Sequence, residues 1–481
     1  MAPSRRAIIT GLGASIGFSR GSWARHGRGV GAALQGPVAN NDVYYQFGDS
    51  RAACNGDGNV GAIVGGTYTS MDGWLGWLQT LTGYKFYMPR GGMYAVGGTT
   101  TQQCYNALVA ALSSLIAGAT ISILTWINDF GQGVPTATTL QYITAILDFC
   151  LANGFKVIWL NALPDGSREN NPAAVQNFYD ILNFTASVVP TYANARLIDT
   201  FTPTYDPATQ VSWKAGYSTD GTKHASPLGN KVIGTACAYG GANDMWPGQL
   251  FKTLINCPVS DTDIFNSGSN PYGCLNTNFM LEGSGGTALG SNPPTGNIPT
   301  GWFVSSNTPG ITIQCFNNSI DGRVDPDGFP SFGLSITGTP GGSTGATGQV
   351  IIRSSPITVT NIVANGLYAG MGRVIVNSSA AGLYGWGTGM DLAGTDGGGT
   401  QSLSGYTFEG FPITAPNPNG QVWYGGAFDE QLMGQLVPVP SDWATMTGRQ
   451  SHANWHINMW QGVSANINIA ISRFGVRPIA A

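Results

Sequence analysis

Helical periodicity runs through the first half of this chain of 481 residues and then stops. From Val43 to about Tyr239, short apolar runs alternate with segments whose apolar residues recur at helical spacing. Strands are expected at Val43–Phe47, Lys85–Met88, Thr120–Trp126, Lys156–Leu160 and Arg196–Ile198. Helices are expected at Met71–Leu81, Thr101–Ile116, Thr139–Ala152, Pro172–Val188 and Leu228–Tyr239. Gly154 stands where a helix C-terminal cap belongs, and Asn171-Pro172 is a helix start signal. Strand–helix alternation implies a parallel sheet, and such a sheet is covered on both faces. Right-handed crossovers then give a three-layer, flavodoxin-like α/β domain.

Beyond Trp246-Pro247-Gly248 the pattern changes. Clusters of Gly, Pro, Asn, Ser and Thr separate short β-prone runs such as Ile311–Cys315, Gln349–Arg353, Arg373–Val376 and Ala465–Ser472. Short strands with regular turn signals predict an all-β jelly roll or antiparallel sandwich, with Thr337–Gly348 as a loop inside it. The expected organisation is an N-terminal arm or export signal at 1–40, the α/β domain at 41–250, a connection at 251–270 and the sandwich at 271–481. Charged residues make up only 10% of the chain against a usual share of about 25%, while Gly reaches 70 residues. That balance suits β-rich domains with tight turns and is common outside the cytoplasm. A net charge of −4 argues against a basic nucleic-acid surface.

Ser4-Arg5-Arg6, followed by the mildly apolar stretch Ala7–Phe18, resembles a twin-arginine export signal. It is too short and Gly-rich to span a membrane, and no other segment reads as a span. Two readings stand: export to an extracellular or periplasmic place, or a Gly/Ala/Arg-rich arm that docks on a partner chain. Seven cysteines are scattered without a CxxC pair, so a zinc or redox motif is not expected. Cys257 and Cys274 flank a loop and either pair in an oxidising compartment or stay buried thiols like the rest.

Open α/β sheets place their sites beyond the carboxyl ends of the strands. Gly48-Asp49-Ser50 follows the first strand, Val96-Gly97-Gly98-Thr99-Thr100 the second, and Asn128-Asp129 the third. Asp220-Gly221-Thr222-Lys223-His224 precedes the last helix. These positions gather a Ser, a Gly, an Asn and a His at one rim. A serine hydroxyl becomes a nucleophile when a neutral histidine takes its proton, and the oxyanion that results needs preorganised donors. The backbone N–H groups of Ser50 and Gly98 and the side-chain amide of Asn128 are the candidate donors.

In this order the four segments resemble the four sequence blocks of the SGNH (GDSL-type) hydrolases. The resemblance implies Ser50 as nucleophile, His224 as its base, an oxyanion hole of Ser50, Gly98 and Asn128, and no metal or organic cofactor. It departs from the family pattern at Ile127, where Gly is usual, and at the acid. The family's aspartate lies three residues before the histidine, where this chain has Gly221; Asp220 lies four before. Asp220 is the candidate acid, with Asp199 and Asp206 in reserve.

In the second half, Asn278–Gly283 followed by Pro299-Thr300-Gly301-Trp302 is similar to the opening of carbohydrate-binding jelly-roll modules. Trp386, Trp423, Tyr424, Trp443, Trp455 and Trp460 are candidates either for stacking on sugars or for filling the sandwich core. His452 and His456 lie four apart in a strand-like setting without the glutamate of a metalloprotease helix, so a shared metal is not expected. Together these features suggest a serine esterase removing acyl groups, acetyl above all, from a polysaccharide. Two alternatives are a phage-like virion, tail or adhesive structural protein, assembled with other subunits, that uses the SGNH-like domain for glycan binding, and an esterase or lipase for small esters.

Overall fold

A computed structural model describes residues 43–53, 73–82, 92–218, 220–241, 260–317, 327–341, 347–376, 380–396, 399–406, 428–434 and 437–480, together with Phe86, Cys257 and Pro258. The first part is a parallel sheet ordered β1 (Tyr44–Gly48), β2 (Thr120–Leu124), β3 (Lys156–Leu160) and β4 (Ala195–Ile198). Lys85–Met88, apart from Phe86, lies outside the described residues. The chain that runs along the free edge of β1 is Gly92–Val96: Gln46 N–H donates to Gly92 O, Tyr94 N–H to Gln46 O, and Val96 N–H to Gly48 O.

Alternating side chains of these strands face two separate cores, as a sheet covered on both faces requires. Val43, Tyr45, Phe47, Val157 and Trp159 pack on α3 (Thr101–Ala111), α5 (Thr136–Ala152) and α6 (Pro172–Val188). Tyr44, Ile158, Leu160 and Ile198 pack on α2 (Trp74–Leu81) and α8 (Pro227–Tyr239). Three short helices complete the domain: α1 (Ser50–Ala53), α4 (Ile127–Gly131) and α7 (Phe201–Thr204). The start signals act through side chains. Asn171 caps α6 by accepting from Ala174 N–H, and Thr100 and Gln103 form a reciprocal capping box on α3.

The second part consists of two sheets. One has the order β13 (Gly399–Tyr406), β12 (Leu383–Asp396), β16 (Thr447–Trp460), β10 (Thr347–Ser354), β7 (Trp302–Ser305) and β5 (Thr287–Leu289). The other runs β14 (Phe428–Met433), β11 (Leu367–Val376), β17 (Ala465–Ala480), β9 (Ser331–Gly338), β8 (Ile311–Asn317) and β6 (Thr295–Gly296), with β15 (Val437–Pro438) paired to β11. Inward residues alternate along the strands, as Ile311, Ile313 and Cys315 do on β8, and meet in one apolar core. Trp386, Trp443, Trp455 and Trp460 are all buried in that core, so they fill the sandwich and do not form sugar-stacking plates. Trp423 and Tyr424 lie outside the described residues.

The two halves of the module-like opening bond to each other: Trp302 Nε1 donates to Asn278 O, and Asn278 Nδ2 donates to Thr300 O. The segment from Ser260 to Asn270 is fastened to the sandwich, with Phe265 packed against its core and Asp263 paired with Arg477. Cys257 and Cys274 are both buried and form no disulfide with each other, and the other four described cysteines are buried as well; Cys54 is outside the described residues. Burial pushes the Cys274 thiol up to about 12. His452 Nδ1 rests 3.2 Å from Asp391 Oδ1, and among the described residues no group of three or more potential metal ligands occurs. No helix among them is long and apolar enough to cross a membrane.

Among the described residues, Trp77 joins the two parts through a shared core. Trp77 on α2 is fully buried as a member of the sandwich core, and α2 lies against β14. Behind it, α8 comes so close that a β-carbon on Gly234 would stand 2.4 Å from Trp77 Cβ. Trp77→Ala should therefore destabilise the whole chain by about 3–5 kcal/mol in chemical denaturation, the usual cost of deleting a buried indole. A loss under about 1 kcal/mol, small beside that range, would mean that the two parts do not share this core.

Candidate active site

The nucleophile turn follows from one glycine. Gly48 takes φ +140, and a β-carbon there would lie 1.9 Å from Leu124 O, so only Gly fits between β1 and β2. The chain then reverses: Asp49 N–H bonds Leu124 O, and buried Asp49 accepts from Arg51 N–H at 2.9 Å. Burial raises the Asp49 carboxyl, and the Arg51 guanidinium opposes that rise. Ser50 is thereby set at the first position of α1. Gly48→Ala should abolish soluble folded protein or displace Ser50, read by circular dichroism and by activity; a folded and fully active variant would show that the turn tolerates a β-carbon.

Ser50 Oγ lies 3.0 Å from His224 Nε2, and His224 Nδ1 lies 2.7 Å from Asp220 Oδ2. Ser50, His224 and Asp220 form one hydrogen-bonded triad. The extra residue between Asp220 and His224 is absorbed by Gly221, which takes φ +71 and lets the loop bulge. The bulge has a use. Asp220 Oδ1 accepts the backbone N–H groups of Thr222, Lys223 and His224 at 2.8, 2.7 and 3.2 Å, leaving Oδ2 for the imidazole. Desolvation alone would raise the Asp220 carboxyl, but the Thr222 and Lys223 amides and the imidazole together hold it well below the usual carboxylate range. The two reserve aspartates serve elsewhere: Asp199 accepts from Asn161 Nδ2 and Thr202 N–H, and Asp206 from Ala208 N–H.

The His loop stands on the segment after β3. Gly166 N–H and Trp213 Nε1 both donate to Thr222 O, and a β-carbon on Gly166 would lie 3.0 Å from Gly221 O. The histidine and aspartate side chains are 27% and 36% exposed, so the triad opens to solvent at the rim.

Facing Ser50 is the turn Val96–Thr99. Gly97 is so close that a β-carbon there would be 3.7 Å from Ser50 Cβ, and Gly98 takes φ +79. Among the described residues, the N–H groups of Ser50 and Gly98 meet no acceptor, which suits an oxyanion hole. Asn128 Nδ2 donates to Thr99 O at 3.1 Å, so one of its two hydrogens braces the turn and the second remains. Asp129, its neighbour, accepts from Thr101 N–H and from the hydroxyls of Thr101 and Thr139, locking α4 to α3 and α5.

Sequence reasoning missed what holds α4. The residue that caps the N-terminus of α4, two before Asn128, is the left-handed Trp126, at φ +75, a conformation that costs a bulky residue about 1–2 kcal/mol. Arg168 stabilises it. This buried guanidinium bonds Asp165, Asn177 and the Ile127 carbonyl and sits over the Trp126, Phe130 and Phe178 rings. The one available signal was a charged pair, Asp165 and Arg168, three apart after β3 in a chain poor in charge.

No family model and no curated protein matches the sequence. Solved structures do resemble it. One is a member of the lipolytic protein G-D-S-L family from Veillonella parvula DSM 2008, at 14% identity over 40% of this chain and 95% of that one, TM-score 0.33. Another is the psychrotrophic esterase EstA from Pseudoalteromonas sp., at 14% identity over 42% of this chain and 98% of that one, TM-score 0.31. A third is a carbohydrate-binding module of the β-sandwich superfamily, at 11% identity over 37% of this chain and 56% of that one, TM-score 0.23.

Proposed function

We propose that this chain is a serine carboxylesterase that removes acyl groups, O-acetyl above all, from a polysaccharide. The observation that carries the proposal is the unbroken line from Ser50 Oγ through His224 to Asp220, 3.0 and 2.7 Å long. In the first half-reaction Ser50 Oγ attacks the ester carbonyl carbon and its proton passes to His224 Nε2. The oxyanion is held by the N–H groups of Ser50 and Gly98 and the second amide hydrogen of Asn128. Collapse breaks the ester C–O bond, and the proton on Nε2 goes to the departing alcohol oxygen. Water then attacks the acyl-serine with His224 again as base, releasing the acid and restoring Ser50.

The exposure of the triad supports a bulky alcohol half such as a glycan. The sandwich is the proposed holder of that polymer. With Trp386, Trp443, Trp455 and Trp460 in the core, it would hold sugar through hydrogen-bonding groups on outer faces, such as Arg353, whose side chain is 45% exposed beside Asp391. The test is acetate release from a panel of O-acetylated glycans and from a small acetate ester, by wild type and Ser50→Ala. Release from at least one glycan, lost in Ser50→Ala, supports the proposal. Turnover of the small ester alone overturns the polysaccharide assignment and leaves a small-ester esterase; no turnover of either overturns the enzyme.

A further inference from the structure

We infer that Gln132 is a positioning residue for the oxyanion hole. The inference rests on the esterase reading above and adds to it a residue outside the four sequence segments. Gln132 Nε2 donates to the Gly98 carbonyl at 2.6 Å. Gln132 is the residue that caps the C-terminus of α4, its N–H on Asn128 O, and Asn128 Nδ2 donates to the next carbonyl of the turn, Thr99 O, at 3.1 Å. α4 and its C-terminal cap thus grip two successive peptides of the turn that faces Ser50.

The grip matters because of what it holds. Gly98 sits at φ +79, and glycine has little intrinsic preference for that well over its others. Its N–H is an oxyanion donor only while the turn keeps this conformation. The 98–99 peptide is pinned from both ends: Thr99 N–H donates to Val96 O, and Gln132 holds the Gly98 oxygen. The Gln132 amide is thus the side chain that stops this peptide from rotating about a glycine. Gln132 and Gly98 are both exposed, where a single hydrogen bond adds little to global stability. Loss of the amide should therefore be felt in the rate and not in folding.

The experiment compares wild type, Gln132→Leu, Gln132→Arg and Ser50→Ala on a chromogenic acetate ester, with kcat and KM separated. Binding of an alkyl boronic acid, which forms a tetrahedral adduct on a serine nucleophile, is measured alongside. Gln132→Leu keeps the size and loses the donor, so kcat should fall about ten- to a hundredfold, as misplacement of catalytic groups does. KM should stay within about twofold, because ground-state binding does not use the oxyanion hole fully. Affinity for the boronic acid should fall in step with kcat, and the melting temperature should not move. Gln132→Arg, whose long side chain still donates, should recover most of the rate. An unchanged kcat in Gln132→Leu, a loss confined to KM, a lowered melting temperature that accounts for the loss, or no recovery in Gln132→Arg overturns the inference. If Ser50→Ala is as active as wild type, the esterase reading itself fails, which the Gln132 variants alone do not decide.

Discussion

Ser50→Ala and His224→Ala should each lower turnover of an acetate ester by about 10⁴-fold or more, and the double variant should be little worse than either. The reason is geometric. At 3.0 Å, the serine oxygen and the imidazole nitrogen act as one proton-transfer unit. Removing the hydroxyl leaves the base with nothing to deprotonate, and removing the base leaves a neutral, poorly nucleophilic hydroxyl. The activity that survives comes from the oxyanion donors and from binding, which neither substitution touches. Steady-state kinetics on the two single variants and the double variant check this. Losses that multiply would show that Ser50 and His224 contribute independently, and the shared mechanism would fall.

Asp220→Asn should lower kcat by about 10² to 10⁴-fold with the fold intact. Asp220 Oδ2 receives the Nδ1 proton of His224, so Nε2 is left as the acceptor for Ser50. An asparagine amide that donates at this position would favour the opposite tautomer, with Nε2 protonated and unable to serve as base. The sign of the pH effect follows from the depressed carboxyl. Asp220 contributes stability that is full above the unfolded carboxylate value of about 3.9, shrinks as pH falls below it and is gone once pH has passed the lower native value. Acid unfolding of wild type and Asp220→Asn should thus differ most at neutral pH and converge in strong acid. Near-normal kcat in Asp220→Asn would assign the orientation of His224 to another group.

The elements legible from sequence were those whose pattern is local. Pro172–Val188 begins at a side-chain cap and shows helical periodicity throughout, and both survive folding unchanged. Ser50, Gly98, Asn128 and His224 were readable because each sits at the end of a strand or the start of a helix. Features that depend on distant parts of the chain were not. The chain along the edge of β1 is Gly92–Val96 (Gly-Met-Tyr-Ala-Val), a short run between glycines that is held there by bonds to β1. Whether Trp386, Trp443, Trp455 and Trp460 stack on sugar or fill the core stayed open because single strands do not reveal which face another sheet covers. Arg168 and Gln132 were missed for a related reason. Their roles are bonds to the backbone carbonyls of Ile127 and Gly98, 41 and 34 residues away, and a carbonyl has no sequence signature. The shifted aspartate was readable as a position but not as a geometry, since it depends on Gly221 turning left-handed.

In the proposed reaction Ser50 carries the acyl group. This is tested most directly by incubating the full chain with a reactive alkyl fluorophosphonate and locating the adduct by peptide mass spectrometry. One stoichiometric adduct is expected, on the peptide that contains Ser50, strongly slowed in His224→Ala and absent in Ser50→Ala. An adduct on another residue in wild type, or full labelling that persists in Ser50→Ala, would contradict it.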